Sequence, residues 1–322
     1  MKLKVKGTGS YLPETTFDNN AIAEIVETDD EWIRERTGIG NRHLSTGETV
    51  ADMAAKACEK ALENSGVSPE AVELIILATC SPEVAIPNVS CQVQSKIGAE
   101  KAVCFDLNAA CSGFIFALNT VYAYMAAGLY KNALVIGVEG LSKLVDWEDR
   151  STCILFGDGA GAVYVEAEDQ ADALYRFVQH ANGAKGSVLT CGTRDIKNPL
   201  YEGEKLHPYI QMDGGEIFKF AVGKIPSCIK ELLELTEMSA DDIDFYILHQ
   251  ANLRIITSIA KKLGQDMAKF PYNVDRVGNM SSASIPVLLD ECNQKGLFTE
   301  GMKLVLSGFG AGLTYGATIL TW

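Results

Sequence analysis

SGVSPEAVELIILAT, residues 65–79, lies over TEMSADDIDFYILHQ, residues 236–250, without a gap at an offset of 171 residues. Each stretch passes from a serine (Ser68, Ser239) through an acidic turn into an apolar strand. A matched pair half a chain apart marks an internal duplication, two copies of a βαβ-rich unit packed as one molecule. The halves are read as residues 1–170 and 171–322. Working outward, AVCFDL (102–107) and ALVIGV (133–138) read as further buried strands, and SCQVQSKIG as a helix ending at Gly98. In the second half KFPYNV (269–274) and MKLVLSG (302–308) repeat the strand theme. Alternating helical and β-branched segments specify an α/β fold. In each half the second strand ends in a polar turn that opens a helix. Those turns contain Cys111 and Asn279, 168 residues apart, which reads as the same turn with a three-residue drift.

Composition narrows the function. Hydrophobic residues make up 47% and charged residues 22% of the 322, the balance of a globular chain with a large core and not of a disordered one. A net charge of −14 repels phosphate backbones and argues against nucleic-acid binding. Nine cysteines include no CxxC pair and no Cys/His spacing of a zinc site, so free buried thiols in a reducing, cytoplasmic compartment are expected, with no metal. MKLKVKGTGSYLP at the start alternates like a strand and lacks the apolar run of a signal peptide. Leu107 to Tyr130 carries no charge, but its asparagines, glycines and tyrosines suit a helix buried on all sides better than a membrane span. Residues 180–212 are rich in Gly, Asn, Pro and Tyr and read as a cap over an active site.

Three residues stand out chemically. Cys111, in FDLNAACSGF, sits where a strand turns into a helix, a place that favours thiolate through unpaired N–H groups and the helix dipole. Ser112 and Gly113 beside it suit a sharp turn. His249 closes the strand FYILH, where the first half has Ala78. A core histidine and an N-cap asparagine remain alternatives for His249 and for Asn279 in RVGNMSSASIP. Together the three converge at strand C-terminal ends, where open α/β sheets bind ligands. GFGAG (308–312) lacks the ending of a phosphate loop and reads more economically as a turn offering a backbone N–H to an oxyanion.

Six motifs occur in order: TDDEWIRERTGI (28–39), DLNAACSGF (106–114), FGDGAGA (156–162), LHQANLRI (248–255), GNMSSASIP (278–286) and GFGAGLTYG (308–316). Through them the chain resembles, along essentially its whole length, the β-ketoacyl-acyl carrier protein synthase III family of the thiolase fold. The resemblance implies a layered α/β/α/β/α molecule, a homodimer, and initiation of fatty acid synthesis by decarboxylative condensation of a short acyl-CoA with malonyl-acyl carrier protein. It implies a triad of Cys111 as nucleophile with His249 and Asn279 as hydrogen-bond donors, and an oxyanion hole from the backbone of Cys111 and Ala311. Thr28, Trp32, Arg36, Arg150, Phe218 and Asn252 match positions that hold CoA and its pantetheine. Thr28 and Glu31 also have the T-x-x-E spacing of a capping box. No cofactor is implied beyond acyl-CoA as substrate. Arg254, Lys261 and Lys262 share a helical face suited to an acidic carrier protein, although the two lysines also complement a helix C-terminus. Ile86 stands at the acyl-pocket gate, often aromatic in relatives and supplied across the dimer. Ala311 replaces a common glycine, and Met280 a common threonine.

Other classes compete. A Cys-His-Asn set also serves papain-like hydrolases, but the cysteine-protease signature is missing and the duplicated plan does not fit. A thiolase-fold condensing enzyme of secondary metabolism carries nearly the same motifs. A non-catalytic interaction protein of this fold would not need all three triad residues.

Overall fold

The computed structural model describes residues 2–168, 174–192 and 194–322. The boundary expected between residues 170 and 171 lies outside the described residues. Nine strands form two sheets: β1 (Lys2–Tyr11), β2 (Leu74–Ala78), β3 (Val103–Leu107), β4 (Asn132–Gly140), β5 (Asp158–Glu168), β6 (Tyr175–Ala181), β7 (Phe245–Leu248), β8 (Lys303–Gly310) and β9 (Thr314–Thr321). The first sheet has the order β1-β5-β4-β2-β3 and the second β6-β9-β8-β7. In both, a parallel pair (β2 with β4, β7 with β8) continues into antiparallel neighbours (β5 and β1, β9 and β6). The second sheet therefore repeats four of the five strands of the first.

The helices used below are α1 (Asp30–Thr37), α2 (Val50–Ser65), α3 (Val89–Ile97), α4 (Gly113–Ala126), α5 (Gly214–Leu235), α6 (Leu253–Leu263), α7 (Val274–Val277) and α8 (Ser284–Gln294). Helices α2 and α3 cover the outer face of the first sheet, α4 and α8 fill the space between the sheets, and α5 with α6 covers the second. This is the five-layer arrangement the motifs implied. The uncharged stretch becomes α4, whose Phe114, Ile115, Leu118, Val121 and Met125 are buried between the sheets. Each such side chain contributes about 1.5–3 kcal/mol when removed from water; the helix is not buried on all sides, because Ala123 and Ala126 near its end are exposed. No helix among the described residues is long and apolar enough to cross a membrane.

Three expectations change. KFPYNV is not a strand: a 3-10 turn (Met267–Lys269) leads through Pro271 into α7, so the second sheet has no counterpart of β3. Proline removes the ladder donor that a strand there would need. Strand β3 is not fully buried, because it is the outer strand of its sheet and Val103 is half exposed. The 171-residue offset holds through the turns that carry Cys111 and Asn279. Ala110 and Ser281 both adopt φ of 45°, and α4 and α8 begin at Gly113 and Ser284. The counterpart of Asn279 is thus Asn108, and that of Cys111 is Ser282; the three-residue drift does not exist. Asn108 and Asn279 each accept a hydrogen bond from the N–H two residues on, at 3.1 and 2.9 Å, the turn chemistry that asparagine favours.

Candidate active site

Cys111 lies in a 3-10 turn (Ala110–Ser112) between β3 and α4, His249 follows the last residue of β7, and Asn279 follows α7. All three line one cleft of about 590 Å³. His249 and Asn279 are buried, and Cys111 is half-buried. Exposed Arg36, Lys219 and Arg254 stand around the same cleft, whereas Ile154, Phe156 and Phe309 give it apolar walls.

The electrostatics differ from the thiolate expected at a helix start. Burial pushes the Cys111 thiol up to about 12; the neighbouring Ser281 hydroxyl opposes this, and the charge of Glu139 adds to it. Desolvation of the charged sulfur outweighs the helix end here. Burial likewise holds His249 down to about 3, so the ring is neutral at physiological pH. Its Nδ1 is buried without a partner, which leaves Nε2 as the nitrogen open to the cleft. The ring meets Phe309 edge-on at 5.4 Å. Asn279 Oδ1 accepts from the Ser281 N–H, which fixes the amide so that its NH₂ is the free end.

FGDGAGA has a positioning task. The Gly157 N–H donates to the Asn279 carbonyl at 3.0 Å, and the Asn279 N–H donates to the Leu155 carbonyl at 2.9 Å. Arg42, fully buried, donates to the Ile154 carbonyl and to Asn19 behind that wall. Sequence reading missed Arg42, along with Glu139, Ser281 and Ser282, which surround the turns. A lone acid inside the apolar run ALVIGVEG was the signal for Glu139.

Of the residues matched to CoA binding, Trp32, Arg36, Phe218 and Asn252 line the cleft. The Arg36 and Arg150 guanidinium groups both lie over the Trp32 ring, 4.3 and 4.9 Å from its centre. Thr28 does not cap α1; Asp29 does, accepting from the Trp32 N–H at 2.7 Å. The capping-box reading fails because the helix begins one residue later. The Thr28 hydroxyl is buried without a hydrogen bond. Asn252 caps α6 and donates to the Arg36 carbonyl at 2.9 Å, tying α6 to α1.

In the glycine-rich turn, Gly310 and not Ala311 lines the cleft. Ala311 has no positive φ, since the unusual backbone falls on Gly312. The cap is a wall: of residues 180–212 that are described, Leu189 and Met212 line the cleft, while Leu200 and Tyr201 are exposed. Arg254 lies over the Phe218 ring, Lys261 is exposed, and Lys262 donates to the Val222 carbonyl at 2.9 Å. Ile86 is 85% exposed and does not line this chain's cleft.

Residues 105–183 and 233–322 match the family models described as 3-oxoacyl-[acyl-carrier-protein (ACP)] synthase III and its C-terminal part. A β-ketoacyl-[acyl-carrier-protein] synthase III of Clostridium acetobutylicum is 47% identical, over 99% of this chain and 98% of its own. The crystal structure of 3-oxoacyl-[acyl-carrier-protein] synthase III from Aquifex aeolicus superposes with a TM-score of 0.93 at 40% identity, covering 99% of this chain and all of that one. A priming β-ketosynthase from the R1128 polyketide pathway superposes with a TM-score of 0.92 at 32% identity, over 99% and 96% of the two chains. With its thiolase fold and this full-length similarity, the chain belongs to the 3-oxoacyl-[acyl-carrier-protein] synthase III family and is an acyl-transferring condensing enzyme of fatty acid initiation.

Proposed function

We propose that Cys111 takes a short acyl group from acyl-CoA as a thioester, its thiol proton passing to the departing CoA sulfur, and that malonyl-acyl carrier protein then condenses with it. The observation that carries this reading is a thiol and two neutral donors, His249 and Asn279, lining one cleft. Decarboxylation of a malonyl thioester leaves negative charge on its carbonyl oxygen, and two N–H donors stabilise that enolate without a proton transfer. Its carbon attacks the Cys111 thioester, forming the new carbon–carbon bond in a tetrahedral intermediate whose collapse expels the Cys111 sulfur. The Cys111 backbone N–H, with that of Ala311 in the glycine-rich turn, would receive the tetrahedral oxyanion. Trp32 with two guanidinium groups over its ring suits a nucleotide base and phosphates, and the orphaned Thr28 hydroxyl offers a further hydrogen bond.

We further infer a homodimer, on the exposed Ile86 loop and the open edge of β3, and a cytoplasmic location, on nine free thiols. The test is a panel of acyl-CoA starters with malonyl-acyl carrier protein. Cys111→Ala should abolish condensation yet keep residual malonyl decarboxylation, and His249→Ala should lose both. Condensation at the wild-type rate by the Cys111 variant would overturn the mechanism.

A further inference from the structure

Glu139, near the end of β4, is fully buried. Its carboxylate accepts from Thr79 Oγ1 (3.2 Å), Ser81 Oγ (2.6 Å), and the Cys80 N–H (3.1 Å) and thiol (3.4 Å) on the segment leaving β2. From the other half of the molecule it accepts from Ser281 Oγ (3.1 Å) and Ser282 Oγ (2.8 Å), in the turn after Asn279. No lysine or arginine pairs with it among the described residues; neutral donors satisfy it instead. Gly137 shows how closely β4 runs beneath that turn, because a Cβ there would lie 2.2 Å from the Ser282 carbonyl oxygen.

Ser281 is the link from Glu139 to Asn279. Its N–H holds Asn279 Oδ1, and its hydroxyl donates to Glu139 beside the Cys111 turn. We propose that Glu139 is the positioning residue of the condensing site, gathering donors from both halves onto one carboxylate and so fixing the Asn279 amide relative to the Cys111 thiol. This rests on the roles given above to Cys111 and Asn279. Partly exposed charges cost little to rearrange, but a buried carboxylate with this many donors has few alternatives, so its loss is felt throughout the network.

The charge has a second effect. Glu139 favours the protonated Cys111 thiol, whereas the Ser281 hydroxyl favours its thiolate. Glu139→Gln and Ser281→Ala should therefore move the pH profile of Cys111 alkylation by iodoacetamide, read by peptide mass spectrometry, in opposite directions: down for Glu139→Gln, up for Ser281→Ala. Both should lower kcat for condensation about ten-fold or more, short of the ~10²–10³ lost with an oxyanion donor, with KM for acyl-CoA within two-fold of wild type. Glu139→Asp should recover part of the rate, and it carries the test with Ser281→Ala if Glu139→Gln does not fold. A folded Glu139→Gln protein with wild-type kcat, or shifts of the same sign in the two variants, would overturn the proposal. A wild-type enzyme that forms no condensed product would instead overturn the functional reading.

Discussion

His249 is neutral in the folded protein and protonates readily once unfolded. Its folded pKa lies below the ordinary value, so the unfolded chain takes up the proton first as pH falls. Stability is therefore full above about pH 6.5 and is lost progressively toward pH 3. The melting temperature should drop between pH 7 and pH 5, and the drop should shrink in His249→Gln, which keeps a neutral donor; an equal drop in both would place the effect elsewhere. Gly310 gives a second prediction. A Cβ at this position would lie 2.5 Å from the Cys111 nitrogen and 3.1 Å from the Ala109 carbonyl oxygen. Gly310→Ala should displace the nucleophile's turn and lower condensation by roughly 10² or more, the scale of a lost oxyanion donor. Circular dichroism would show whether the fold survives.

Helix α6 separates a docking surface from a structural one. Arg254 is exposed beside the cleft, whereas the Lys262 ammonium sits on a carbonyl of α5. Arg254→Glu should raise KM for malonyl-acyl carrier protein, more at low salt, and leave acyl transfer from acyl-CoA unchanged. Lys262→Ala should leave that KM alone and cost about 1 kcal/mol or less in stability, read as a small shift in melting temperature. Equal KM effects would show that the carrier protein reaches Lys262 despite its contact with α5. The element that defied reading was KFPYNV. Its apolar and aromatic residues suit a strand, but Phe270 instead stacks on Tyr246 at 4.6 Å, and that burial explains the composition equally well.

For the whole molecule, Ile86 offers a joint test of oligomeric state and specificity. Because it is exposed and absent from its own cleft, it can shape a starter pocket only by entering the cleft of a partner copy. The protein should sediment as a dimer. Ile86→Phe should shift kcat/KM toward acetyl-CoA over hexanoyl-CoA by roughly ten-fold, given about 0.8 kcal/mol for each buried CH₂. The same selectivity in both proteins would remove Ile86 from the pocket.

The duplication and the α/β layers were legible in the chain because they rest on local signals, strand periodicity and turn glycines; Cys111, His249 and Asn279 stood out by their place at strand ends and by motif order, and the fold brings them to one cleft. The offset of 171 residues even predicts the paired φ values of Ala110 and Ser281, although comparing Cys111 with Asn279 hid it. The tertiary structure alone decided the ionisation of Cys111 and His249, since desolvation depends on what packs around a group and not on its neighbours in sequence. It also brought Glu139 to the turn that follows Asn279. Its partners lie up to 143 residues away, and only the packing of one half against the other brings their hydroxyls to a single carboxylate.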